Sequence, residues 1–192
     1  MSDALDGKTV GIVLAPRGSE EAEFTEPRDA VAEAGASVEV IGTETGEVQT
    51  VNDDLEPAES YEVEKSFSEV SVEDYDGLVI PGGTVGADTL RGNDDAVEFI
   101  HDFFATEKPL CVICHGPWTL VEADVVDGRK VTSYHSLETD VRNAGGEWVD
   151  EEVVVDEGLV TSRNPDDLDA FCDKVVEEIE EGPHDDRETD DV

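Results

Sequence analysis

Cys114 is the residue best placed for covalent chemistry. It directly follows Pro109-Leu-Cys-Val-Ile113, the most apolar strand pattern in the chain. After it come His115-Gly116-Pro117 and an apolar helical stretch from Trp118 to Ala123. A side chain on a sharp strand-to-helix turn is presented as a nucleophile elbow, and Gly116 leaves room for the bend. Unpaired N–H groups at a helix start favour a thiolate, and such sites bring the thiol pKa from about 8.5 toward 3.5–7.5. A free cysteine is more commonly a small buried hydrophobe, and that reading suits Cys111 and Cys172.

A nucleophile needs donors for an oxyanion and a proton partner. The His115 N–H is the first expected donor, and Gly82-Gly83, also at a strand end, offers the second. One of Glu20, Glu21 and Glu23, in the loop after the first strand, can reach the thiol. Cys111-Val-Ile-Cys114 has redox spacing, yet the residues between read as strand and set Cys111 about 10 Å back in the sheet. Zinc is not expected, because no second C-x-x-C and no H-x-x-x-H is present. Neither G-x-S-x-G nor a phosphate-binding glycine motif occurs, so no cofactor and no metal are expected. None of His101, His115, His135 and His184 has Glu two residues later, which removes the triad of class I glutamine amidotransferases.

The elements that must hold these residues read as alternating strands and helices. Thr9–Ala15, Ser37–Ile41, Gly77–Ile80 and Pro109–Ile113 are short apolar runs suited to strands buried on both faces. Helical patterns cover Ala22–Ala34, capped by Gly35, then Asp94–Thr106, Leu137–Ala144 and Asp166–Glu181. Residues 42–75 carry turn residues among alternating pieces, which predicts a small hairpin and loops. A second hairpin is expected at Val153–Val155 and Leu159–Thr161. This alternation predicts an α/β fold with a mostly parallel sheet between helices, the site lying where strand C-termini meet helix starts. One domain is expected over residues 1–181, and an acidic, frayed tail over 182–192.

Charge excludes further functions. The 192 residues include 51 Asp and Glu against 12 Lys and Arg, a net charge of −39. Such a surface repels phosphate backbones and anionic lipid, so no nucleic acid and no membrane are expected as partners. Val, Leu, Ile and Phe still supply about a quarter of the chain, above the rough 20% line below which high charge means disorder. Acid spread through nearly every segment suits a salt-rich, halophilic cytoplasm, where screening acts over about 3 Å at 1 M. The N-terminus lacks the basic and apolar regions of a signal peptide, and a cytoplasmic location is expected.

Asp76-Gly-Leu-Val-Ile-Pro-Gly-Gly83, Ile113-Cys-His-Gly-Pro117 and Gly18-Ser-Glu-Glu-Ala-Glu23 with Pro27 resemble the PfpI (ThiJ/PfpI) family. Thr132-Ser-Tyr134, Asn143-Ala-Gly-Gly-Glu-Trp148 and the segment Val153 to Pro165 extend the likeness almost end to end. Its members are described as intracellular cysteine peptidases, glyoxalases or protein deglycases. The resemblance implies a three-layer, flavodoxin-like sandwich of the class I glutamine amidotransferase-like kind. It makes Cys114 the nucleophile, Glu23 the buried acid on its sulfur, and the Gly83 and His115 N–H groups the oxyanion hole. In peptidase-like members His115 is also the base, paired with an acid of a neighbouring subunit; Asp88 matches that position and implies a homo-oligomer. Gly82 and Tyr134 fall in the pocket, and His135, where many members have Pro, is read as a pocket-edge residue. The reaction this implies first is a cofactor-independent glyoxalase or deglycase acting on a small aldehyde, or on a glycated protein or peptide, through a Cys114 hemithioacetal. The alternatives are a peptidase with Cys114, His115 and Asp88, and a non-enzymatic redox sensor or chaperone.

Overall fold

The computed structural model describes residues 3–184. In chain order the elements are β1 (Thr9–Leu14), α1 (Glu21–Glu33), β2 (Ser37–Gly42), β3 (Gly46–Asn52), β4 (Glu56–Val63), β5 (Lys65–Ser66) and β6 (Gly77–Ile80). There follow α2 (Thr84–Arg91), α3 (Asp94–Ala105), β7 (Leu110–Ile113), α4 (Pro117–Glu122), β8 (Lys130–Val131), α5 (Glu138–Asn143) and β9 (Glu147–Trp148). β10 (Val153–Asp156), β11 (Leu159–Ser162) and α6 (Leu168–Glu181) complete the chain.

The main sheet has the order β10-β11-β7-β6-β1-β2-β5. All its neighbours pair in parallel except β10 with β11, the expected hairpin. Successive side chains of a strand point to opposite faces, and the core divides accordingly. Val10, Ile12 and Leu14 pack with Phe24 and Val31 of α1 and with Phe171, Val175 and Ile179 of α6. Val13, Leu78, Ile80 and Val112 pack with Leu90, Ile100, Phe103 and Leu120 on the other side. Two apolar faces give three layers. The α/β sandwich expected from the strand and helix patterns is the one found.

Strand order then places the site. β7, β6 and β1 are adjacent at the middle of the sheet, and their carboxyl ends lead into Cys114, Gly82 and the Ser19–Glu23 segment. The chain turns one way to β2 and the other way to β6, so the site sits at the reversal where α/β sheets bind ligands.

Three departures from the expectations have physical causes. Thr84–Arg91 forms a helix, although Thr-Val-Gly-Ala is a poor helix start; close packing on Gly18 sustains it, with the Gly86 N–H donating to the Gly18 carbonyl at 3.2 Å. Parallel pairing of β8 with β9 is made by two-residue strands too short to carry a pattern. The tail expected from Gly182 is held as far as His184, whose N–H donates to the Glu107 carbonyl at 2.9 Å. Residues 185–192 of that tail lie outside the described residues.

Candidate active site

Cys114 sits in the left-handed region at φ +63°, a conformation costing a non-glycine residue roughly 1–2 kcal/mol. Two backbone bonds hold it there: its N–H donates to the Ser162 carbonyl at 3.0 Å, and its carbonyl accepts from the Tyr134 N–H at 2.7 Å. A Cβ on Gly116 would come within 2.6 Å of Val112 and 2.9 Å of the Ile113 carbonyl, so only glycine allows the turn. The elbow expected from the sequence is present. Its stabilisation is not the one expected, because α4 begins only at Pro117. The donors aimed at sulfur are the Gly83 and His115 backbone N–H groups, from two turns.

Glu23 is fully buried. Its Oε2 accepts from the Gly82 N–H at 2.7 Å, and the carboxyl also bonds the Cys114 thiol. Oε1 has no nitrogen or oxygen partner among the described residues. A buried carboxylate oxygen without donors is costly, and burial raises Glu23 to about 8. At neutral pH it is therefore mainly the neutral acid, with an O–H to offer. Burial also pushes the Cys114 thiol up, and the Glu23 charge adds to this, while the Gly83 and His115 N–H groups oppose it. This corrects the expectation of a thiol lowered by a helix end: at 5% exposure, desolvation outweighs two amides.

His115 is buried with its Nδ1 3.2 Å from the Cys114 sulfur. Its imidazole is stacked on Tyr134, ring centroids 4.4 Å apart, with Trp118 edge-on at 5.6 Å. His135 is exposed, and its ring lies tilted against Tyr134 with centroids 4.5 Å apart. Burial lowers the His115 pKa, the Asp54 charge opposes this, and His135 adds to the lowering. The imidazole is thus neutral at pH 7 and can take a proton.

The sequence reading missed two neighbours of that imidazole. Nε2 lies 3.2 Å from Thr84 Oγ1. Thr84 in turn donates its O–H to Asp54 Oδ2 at 3.1 Å and its N–H to Oδ1 at 2.6 Å. Asp54 stands at the tip of the β3–β4 hairpin with φ +65°, and its N–H donates to Glu20 Oε1 at 2.5 Å. Thr84 could have been suspected from its place directly after Pro-Gly-Gly; Asp54 read only as a turn residue. Asp88 is exposed on α2 and makes no contact with His115 within the chain. Cys111 lies buried inside β7, and Cys172 is half-buried on α6. Glu178, Glu181 and His184 bring ligand atoms within 4.8 Å of one another. There Glu178 Oε2 and His184 Nε2 lie 2.9 Å apart, at the end of α6 whose Ile179 packs on Gly77 at the start of β6.

Residues 8–178 match the model of the DJ-1/PfpI family. The chain belongs to that family. It is 45% identical over 166 residues to general stress protein 18 of Bacillus subtilis, covering 86% of this chain and 94% of that one. It is 46% identical over 153 residues to protein/nucleic acid deglycase 2 of Escherichia coli, covering 79% and 87%. Drosophila melanogaster DJ-1beta superposes with a TM-score of 0.80 at 29% identity, covering 93% and 91%. Family membership therefore bears out the expected resemblance. Among the described residues, no helix is long and apolar enough to cross a membrane.

Proposed function

We propose that the protein is a cofactor-independent glyoxalase or deglycase that acts on 2-oxoaldehydes of the methylglyoxal type, or on their adducts, through Cys114. The observation that carries this reading is the surroundings of one sulfur: His115 Nδ1 at 3.2 Å, the Glu23 acid, and the N–H groups of Gly83 and His115. A 46% identical relative bears the name deglycase.

In the proposed sequence the thiol proton passes to His115 Nδ1 as sulfur attacks the aldehyde carbon, and the developing oxyanion meets the Gly83 and His115 N–H groups. His115 returns the proton to that oxygen, which leaves a hemithioacetal and a neutral imidazole. The carboxylate form of Glu23, the minor one at neutral pH, takes the hydrogen from the former aldehyde carbon as a proton. In the resulting enediolate the proton on the first oxygen passes to the second, and Glu23 returns its proton to the neighbouring carbon, giving a thioester. Water, deprotonated by His115, then cleaves the C–S bond and releases the hydroxy acid and the thiol. The substrate is oxidised at one carbon and reduced at the next, so no external electron carrier is needed.

The test is lactate formation from methylglyoxal. Turnover is expected in the wild type and a loss of at least about 10³-fold in Cys114→Ala, the scale seen when a nucleophile is removed. Unchanged lactate formation in Cys114→Ala would overturn the reading.

A further inference from the structure

We propose that Asp54, acting through Thr84, is the positioning carboxylate of His115, so that each chain holds its own complete proton path. The inference deepens the function proposed above and rests on it. Its basis is the direction of the hydrogen bonds. As a carboxylate Asp54 only accepts, and it takes both the N–H and the O–H of Thr84. A threonine hydroxyl has one hydrogen. With that hydrogen given to Asp54, Oγ1 is left to accept, and the group facing it is His115 Nε2 at 3.2 Å. Nε2 therefore carries the imidazole hydrogen, and Nδ1 keeps its lone pair toward the Cys114 sulfur. Every donor in the chain sulfur–Nδ1, Nε2–Oγ1, Oγ1–Oδ2 points the same way.

The hairpin that supplies Asp54 is anchored beside the site. The Val51 N–H donates to the Ser19 carbonyl at 2.9 Å, the Asp54 N–H to Glu20, and the Tyr61 hydroxyl to Glu21 Oε1 at 2.8 Å. Asp88 has no such connection among the described residues. The charged and titratable groups around His115 are Cys114 on its own turn, Asp54 on the hairpin, His135 beyond Tyr134, and Arg91 over Trp118 at 5.2 Å.

The experiment compares Asp54→Asn, Thr84→Val, Thr84→Ser and Asp88→Asn in the full chain, with methylglyoxal as the probe. Asparagine tolerates positive φ and keeps the N–H bonded to Glu20. Asp54→Asn and Thr84→Val are expected to lose about 10²-fold in kcat/KM, the scale of partners that orient a reactive imidazole, while Thr84→Ser stays near the wild-type rate. Only Asp54→Asn removes the charge that raises His115, so only its acid limb moves to lower pH. Nitrogen-15 NMR is expected to show the Nε2–H tautomer of His115 in the wild type and Thr84→Ser, and a tautomer mixture in Thr84→Val. Wild-type rates and tautomer in Asp54→Asn and Thr84→Val would overturn the proposal, as would a loss confined to Asp88→Asn. Should even the wild type leave methylglyoxal untouched, the function proposed above fails. The tautomer and the rate of Cys114 alkylation by iodoacetamide then decide the proton path: unchanged values in Thr84→Val sink it, and changed values restored in Thr84→Ser support it.

Discussion

An unfolded chain ionises Glu23 near 4.5, whereas burial in the fold raises it to about 8. The folded state holds the proton more tightly, so this group's contribution to stability is complete below about pH 4.5 and is lost as pH rises through 8. Within that window the loss is about 1.4 kcal/mol per pH unit. Urea unfolding at pH 5, 6.5 and 8 is expected to show a slope in the wild type that Glu23→Gln lacks; parallel slopes would contradict the assignment. The thiol gives a second readout. Glu23→Leu removes a carboxylate that adds to the upward push of burial on the Cys114 thiol, so iodoacetamide is expected to alkylate the variant at a lower pH than the wild type, and an unchanged profile would contradict the contact. Cys114, His115, Gly82 and Gly83 were legible as candidates because the turn and strand-end patterns that carry them are local in sequence, whereas Glu23 was set apart from Glu20 and Glu21 only by the family resemblance. The sense of the thiol shift was not, since desolvation belongs to the assembled fold. Asp54 stayed hidden for a related reason: its partner Thr84 is 30 positions away.

At the scale of elements, what the sequence announced were the strands buried on both faces and the helices with a long apolar stripe. β6 and β7 are wholly buried four-residue runs, and α3 shows the stripe of Ala96, Ile100, Phe103 and Phe104. α2 was not legible, because its support comes from another loop. Gly83 makes this contact quantitative: it has φ +92°, and a Cβ there would lie 2.0 Å from the Gly18 carbonyl oxygen. Gly83→Ala combines a left-handed alanine, roughly 1–2 kcal/mol, with overpacking, roughly 1–3 kcal/mol. A stability loss of at least about 2 kcal/mol is expected from the urea midpoint, together with lost turnover as the Gly83 N–H moves off the sulfur. A midpoint equal to the wild type would show that the Gly18 turn yields freely.

The molecule as a whole carries 51 acidic and 12 basic side chains, so most carboxylates have no cation to pair with and repel one another. Several of the pairs that do form lie at the surface, such as Arg142 with Glu138 and Lys130 with Glu151, and exposed pairs contribute little. Self-repulsion of this size needs screening. Circular dichroism is expected to retain the helical signal near 3 M KCl and to lose it near 0.05 M, where the Debye length exceeds about 10 Å; an unchanged spectrum would remove the halophilic reading. The same charge surrounds the hairpin tip, where Leu55 stands 83% exposed next to Asp54. Protruding tips are where proteases cut first. A single nick there would detach the carboxylate from its imidazole yet spare every strand of the main sheet, leaving a particle that sediments and melts like the intact protein but has gone silent.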